Sequence, residues 1–187
     1  KSGVSGQALL NGTLRLGNPT NLWSGVADFA GTQTLGGNGT VVLGNSQCNG
    51  LRVGNVNSAL TIGPGITVRG NSGGIGRSCG GSLGTVTNRG TILSETASGF
   101  IYVYGQRVVN LGTITALNGG SLQFENLMDA AGVRVTGGGT LTLQGNWANT
   151  GALVVNDSTL TLGSSWTNTG SINFTNTTLN LGGTVRL

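Results

Sequence analysis

The chain has 187 residues, 37 of them Gly, and a net charge of +4 from nine Lys and Arg against five acids. Only 7% of its residues are charged, against about 25% in an ordinary globular domain, yet apolar residues are plentiful, which excludes a disordered, charge-solvated chain. Helices are excluded by Gly, Asn and Thr in every window of a dozen residues, since Gly alone costs about 1 kcal/mol per helical position, and no apolar run nears the roughly 20 residues of a membrane span.

What remains is many short strands joined by tight turns. The chain starts at Lys1 without a recognisable signal peptide and stops at Leu187 in mid-pattern, which reads as a piece of something longer. Early in the chain, Val41 and Leu43 return nineteen residues later as Leu60 and Ile62. Between 63 and 100 the register loosens, and residues 70–84 read as a Gly-rich irregular excursion. "GGNG" at 36–39 lacks the Asp of Ca²⁺-binding β-rolls, and "GGIGRSCGG" joins no strand to a helix, so neither reads as an ion or phosphate loop.

Cys48 lies in "QCNG" and Cys79 in "RSCGG", both turn contexts. They form no Cys-x-x-Cys pair, and two thiols without His make a poor zinc site. The favoured reading is a Cys48–Cys79 disulfide stapling the Gly-rich excursion to an earlier coil, in an oxidising compartment.

"FIYVYG" at 100–105 is the densest aromatic group. Alternation puts Phe100, Tyr102 and Tyr104 on one face and Ile101 and Val103 on the other. In the register of later coils, Phe100 and Tyr102 match Leu122 and Phe124 and point inward. A slip by one residue puts the aromatics outside, as a surface for sugar rings or a protein partner.

From there on the repeat is regular. Leu122, Leu141, Leu160 and Leu179 form one ladder, and Phe124, Leu143, Leu162 and Leu181 its neighbour. Ile114, Val133, Leu153 and Ile172 form a second, beside Ala116, Val135, Val155 and Phe174. A corner ladder reads Val86, Val108, Leu127, Trp147, Trp166, each followed two residues on by Asn88, Asn110, Asp129, Asn149 or Asn168. Paired positions two apart share one strand face. Identical positions stack, so no coil buries its inner face alone. The expected fold is all-β: a single-stranded parallel β-helix of roughly nine coils of about 19–22 residues over residues 1–187.

The inventory for chemistry is thin. His is absent, which removes Ser-His-Asp and Cys-His arrangements. Glu125 and Asp129 are the only acids close in sequence, and they read as a surface acid and a turn residue rather than a glycosidase pair. The eight Arg are scattered, so no nucleic-acid face is expected. The threonine triplets starting at 32, 85, 113, 140 and 159 have unequal spacing, which argues against the flat array of an ice-binding surface. No catalytic residue, cofactor or metal is expected.

The stretch "NTGALVVNDSTLTLGSSWTNTG", Asn149 to Gly170, resembles repeats of bacterial autotransporter passengers and filamentous-haemagglutinin-like exoproteins. That resemblance implies a right-handed β-helix, extracellular or on the bacterial cell surface. It implies a non-catalytic adhesin, stalk or contact surface, with a glycan or protein receptor as partner and no membrane insertion by this segment. Two alternatives remain: a fibre subunit associating end to end or laterally, and a carbohydrate-binding or carbohydrate-cleaving β-helix.

Overall fold

The computed structural model describes residues 5–186; residues 1–4 and 187 of the expected 1–187 segment lie outside the described residues. Alternation of apolar and polar residues over four or five positions makes a strand with one face to bury, and here each strand buries it by stacking on the coil before and after. The first coil is β1 (Ser5–Leu9), β2 (Thr13–Leu16) and β3 (Val26–Phe29). The second is β4 (Thr32–Gly36), β5 (Thr40–Leu43) and β6 (Gly50–Val53), and the third β7 (Ala59–Ile62), β8 (Thr67–Gly70) and β9 (Ser72–Gly76). β10 (Thr85–Asn88) and β11 (Thr91–Ser94) lead into the long β12 (Phe100–Asn110), which bends round a corner. After β13 (Thr113–Ala116), β14 (Ser121–Leu127) bends likewise. Then come β15 (Arg134–Thr136) and β16 (Thr140–Gln144), followed by β17 (Asn146–Asn149), β18 (Ala152–Asn156) and β19 (Thr159–Leu162). The last rungs are β20 (Ser165–Asn168), β21 (Ser171–Thr175), β22 (Thr178–Leu181) and β23 (Thr184–Arg186). No helix occurs among the described residues.

Neighbouring strands pair in parallel, which defines a β-solenoid with three faces. One face runs β1, β4, β7, β10 and the end of β12, and β17, β20 and β23 continue it. The second is β2, β5, β8, β11, β13, β15, β18, β21. The third is β3, β6, β9, the start of β12, then β14, β16, β19 and β22.

The eight strands of the second face put about seven turns between its first and last rungs, fewer than the nine coils expected. The reason is a drifting period. Paired residues lie 27 apart at Thr13↔Thr40 and Thr40↔Thr67, 24 at Thr67↔Thr91 and 22 at Thr91↔Thr113. They settle to 19 at Ala116↔Val135, 20 at Val135↔Val155 and 19 at Leu153↔Ile172. Most strands keep four or five residues, and it is the corners that change. Residues 17–25 separate β2 from β3, whereas only 157–158 separate β18 from β19.

This drift overturns one expected repeat. Val41 pairs with Val68, and Leu60 with Gln33, so Val41–Leu43 and Leu60–Ile62 lie on different faces despite their nineteen-residue spacing. The Gly-rich excursion also narrows. Ser72–Gly76 is a regular, buried strand, and the irregular part is residues 77–84.

The regular ladders hold. Leu122, Leu141 and Leu160 stack in register at 0% exposure, and Leu179 at the last rung is partly buried. Trp147 and Trp166 stack inside the corner with ring centroids 4.7 Å apart and planes 9° from parallel. The polar rungs bond along the axis: Asn88 Nδ2 donates to Asn110 Oδ1 and Asn149 Nδ2 to Asn168 Oδ1, both at 2.8 Å. These ladder residues sit in strand ends. Left-handed backbone falls instead on Asn118, Asn126, Asp157 and Asn176, in tight corners where a short polar side chain tolerates φ near +50°.

Candidate binding cleft

Pairing of Ile101 with Leu122 and of Val103 with Phe124 sends Ile101 and Val103 into the core at 0% exposure. Phe100, Tyr102 and Tyr104 therefore project outward. This corrects the register that matched Phe100 and Tyr102 to Leu122 and Phe124 and realises the one-residue slip. The physical reason lies in the hydroxyls: outside, Tyr102 reaches the Gln47 carbonyl and Tyr104 the Gln123 amide, whereas the apolar column inside would leave them unpaired.

The rings are not a bare row. Their centroids are 5.8 Å apart from Phe100 to Tyr102 and 5.0 Å from Tyr102 to Tyr104, with planes tilted by 35° and 47°. A cleft of about 370 Å³ opens on them, with Gln47, Arg77 and Gly80 on its other sides. Tyr102 forms the floor, only 9% exposed, and its hydroxyl donates to the Gln47 carbonyl at 2.9 Å. Gln123 Nε2 donates to the Tyr104 hydroxyl and, at 2.9 Å, to Gln144 Oε1. Burial raises the Tyr104 phenol above its ordinary value of 10.0 and the Glu125 carboxylate adds to this, so Tyr104 stays neutral in physiological conditions.

The rim is a covalent device. Cys48 and Cys79 form a disulfide, Cα atoms 5.0 Å apart, that ties the irregular 77–84 stretch to the turn before β6. Cys79 holds a left-handed backbone, φ 39°, which a residue with a Cβ rarely adopts. Ser78 Oγ donates to the Asn49 carbonyl at 2.8 Å, and buried Asn49 accepts from Gly25 N–H at 3.0 Å and donates to the Ser72 carbonyl at 3.1 Å. Gly74 lies under the Tyr102 ring, where any Cβ would collide with the ring and with the Arg77 carbonyl.

A larger groove of about 460 Å³ lies on the second face beside Arg15, Asn71 and Arg69. Arg69 is ion-paired with Glu95 there, and the groove has no aromatic wall. Five outward threonines, Thr13, Thr40, Thr67, Thr91 and Thr113, form a single file on this face that unequal sequence spacing concealed. Its neighbouring file reads Arg15, Val42, Arg69, Leu93, Thr115, so the hydroxyls make no two-file array.

Asp28, Glu95, Asp129 and Asp157 are engaged locally. Asp129 accepts from the Thr150 hydroxyl and from the N–H groups of Thr150 and Ala131, both at 3.0 Å. Desolvation pushes its carboxyl up, but these hydrogen bonds together outweigh it and hold the carboxyl below 3.8. Asp28 is held below 3.8 mainly by its hydrogen bonds from Arg52, at 2.5 and 2.6 Å, against a smaller opposing desolvation. Depressed folded values mean that both contributions are present above pH 3.8 and fade as pH falls through the lower folded values. We expect Asp28→Asn to lower the melting temperature slightly at pH 7, since the pair is solvent-screened. That difference should vanish toward pH 2. A thermal-melt series across pH checks this, and a difference growing on acidification would refute it.

No group of three or more His, Cys, Asp and Glu side chains among the described residues could hold a metal ion. Comparison with protein-family models, curated proteins and solved structures finds no match for the chain.

Proposed function

We propose that this chain is a non-catalytic β-solenoid segment of a bacterial surface or secreted protein, working outside the cell as a stalk that carries a contact surface. The observation behind this reading is the outward aromatic cleft, fixed on a rigid stack and rimmed by the Cys48–Cys79 disulfide. Such a bond fits an oxidising compartment. The surrounding corners are short and regular toward the C-terminus and elaborate toward the N-terminus, so the decoration is concentrated on the earlier coils. Sites of contact are commonly carried on loops held by a rigid scaffold.

The test is adhesion without turnover. Purified protein should bind host or environmental cell surfaces and compete with itself, while cleaving no polysaccharide. Asp129→Asn should leave binding unchanged, because Asn fills the Asp129 position in other coils, and Glu125→Gln, beside Tyr104, should not weaken it. Glycan cleavage abolished by either change would overturn the reading.

End-to-end assembly is a second reading. Leu22 and Trp23 are exposed in the long corner between β2 and β3. Negative-stain imaging at rising concentration separates the two: filaments favour assembly, and single short rods favour the stalk.

A further inference from the structure

The geometry points to a specific ligand class for the aromatic cleft: a short, soluble glycan bearing a carboxylate, of the uronic acid type. This rests on the contact-surface reading above and names what the surface holds.

The first argument is that the core does not need these rings. Ile101 and Val103 supply the buried side of the strand. On the rungs that follow, the outward positions equivalent to Phe100 and Tyr102 are small or polar: Ser121 and Gln123, Thr140 and Thr142, Thr159 and Thr161. Three aromatics on one rung of an otherwise hydroxyl- and amide-bearing face are therefore a local feature.

The second argument is the chemistry of the wall. An aromatic face carries negative charge density, and one face of a pyranose presents a row of polarised C–H bonds, so the two stack while the ring hydroxyls stay at the edge. Polar groups wait at that edge. They are Gln47 on the rim and the neutral Tyr104 hydroxyl. The rings are held in advance by the Tyr102–Gln47 and Gln123–Tyr104 hydrogen bonds, so little ordering is left for binding to impose.

Size and shape decide between ligands. At about 370 Å³ the cleft is near the lower end of small-ligand sites, which run from roughly 300 to 1,000 Å³. It suits one or two sugar rings better than a peptide of several residues. Ring planes tilted by 35° and 47° make a faceted wall. A flat crystalline polysaccharide would need coplanar rings, so a soluble chain is the better match.

Charge supplies the last term. Arg52 is engaged by Asp28 and Arg69 by Glu95. Arg77 lines the cleft and has no ion-pair partner among the described residues. A guanidinium presents paired N–H donors that match a carboxylate.

Isothermal titration with trigalacturonate and with its methyl ester tests this directly. Wild type should bind the acid, and the ester about tenfold more weakly. Arg77→Gln should weaken the acid about tenfold and leave the ester unchanged. Tyr104→Ala and Phe100→Ala should each weaken both ligands at least about tenfold. Far-ultraviolet circular dichroism and melting temperature check the fold of each variant, and exposed Arg77 keeps the test valid if an aromatic variant misfolds. Absence of binding, tight binding of a proline-rich peptide instead, or binding unaffected by Tyr104→Ala and Arg77→Gln would overturn the proposal. Cell adhesion that persists without trigalacturonate binding would sink this ligand assignment and leave the stalk reading standing.

Discussion

Trp147→Ala should destabilise the C-terminal coils by about 3–5 kcal/mol. Trp147 is 4% exposed, lies flat against Trp166 and donates its indole N–H to the Gly163 carbonyl at 3.2 Å. Alanine leaves a cavity between two rungs and an unpaired carbonyl. Because each rung touches only its neighbours, the loss should be local: residues 140–181 should unravel before the coils that carry the cleft. Trp23 is 78% exposed and would mask the signal, so the measurement belongs in a Trp23→Phe background. There, native emission should be blue-shifted and poorly quenched, and denaturant titration should separate an early C-terminal transition in the variant. Red-shifted, readily quenched native emission would contradict the buried stack.

Loss of the disulfide should be the second large effect. Cys48 and Cys79 are 31 residues apart, and closing such a loop is worth about 3–4 kcal/mol in the chain-entropy model. Cys48→Ser with Cys79→Ser should lower stability by about that amount and leave the C-terminal coils folded. It should also free the 77–84 rim, since the left-handed turn at Cys79 would lose its covalent anchor. Native protein should titrate no free thiol and reduced protein two. An unchanged melting temperature in the double serine variant would show that the Ser78–Asn49 hydrogen bond and the packing against Arg52 hold the rim alone.

The C-terminal half was legible because its corners are short. With two residues between β18 and β19, any change of length would break every ladder at once, so the period is fixed and the Leu and Trp ladders can be read directly. In the N-terminal half the strands keep their register while the corners vary from one to nine residues, which hides the pairing of Thr13 with Thr40 and of Val41 with Val68. A nineteen-residue coincidence between Val41 and Leu60 then misleads. The cysteines were readable as a pair because each sits in a turn. The aromatic strand was ambiguous for another reason: both alternating sets of "FIYVYG" are apolar, so hydrophobicity cannot choose a face. The partners of the Tyr102 and Tyr104 hydroxyls decide it, and they lie on other coils. Arg77 was invisible as a site residue, because nothing in its sequence context brings it to Tyr104.

The constant nineteen-residue rungs also make the span of this segment adjustable in fixed steps. From Leu141 to Leu179 each rung carries the same three strands and nearly flush corners, and its ladder residues repeat, Leu160 over Leu141 and Trp166 over Trp147. A tandem copy of residues 146–164 placed after residue 164 therefore meets two surfaces it already fits. Each added copy should lengthen the rod by about 4.8 Å, the spacing between paired strands. The aromatic cleft, several rungs away, would be carried along unaltered. Distance and recognition are thus separately heritable in this fold: rungs can be gained or lost by simple duplication or deletion without re-solving the core, while the elaborate corners evolve on their own.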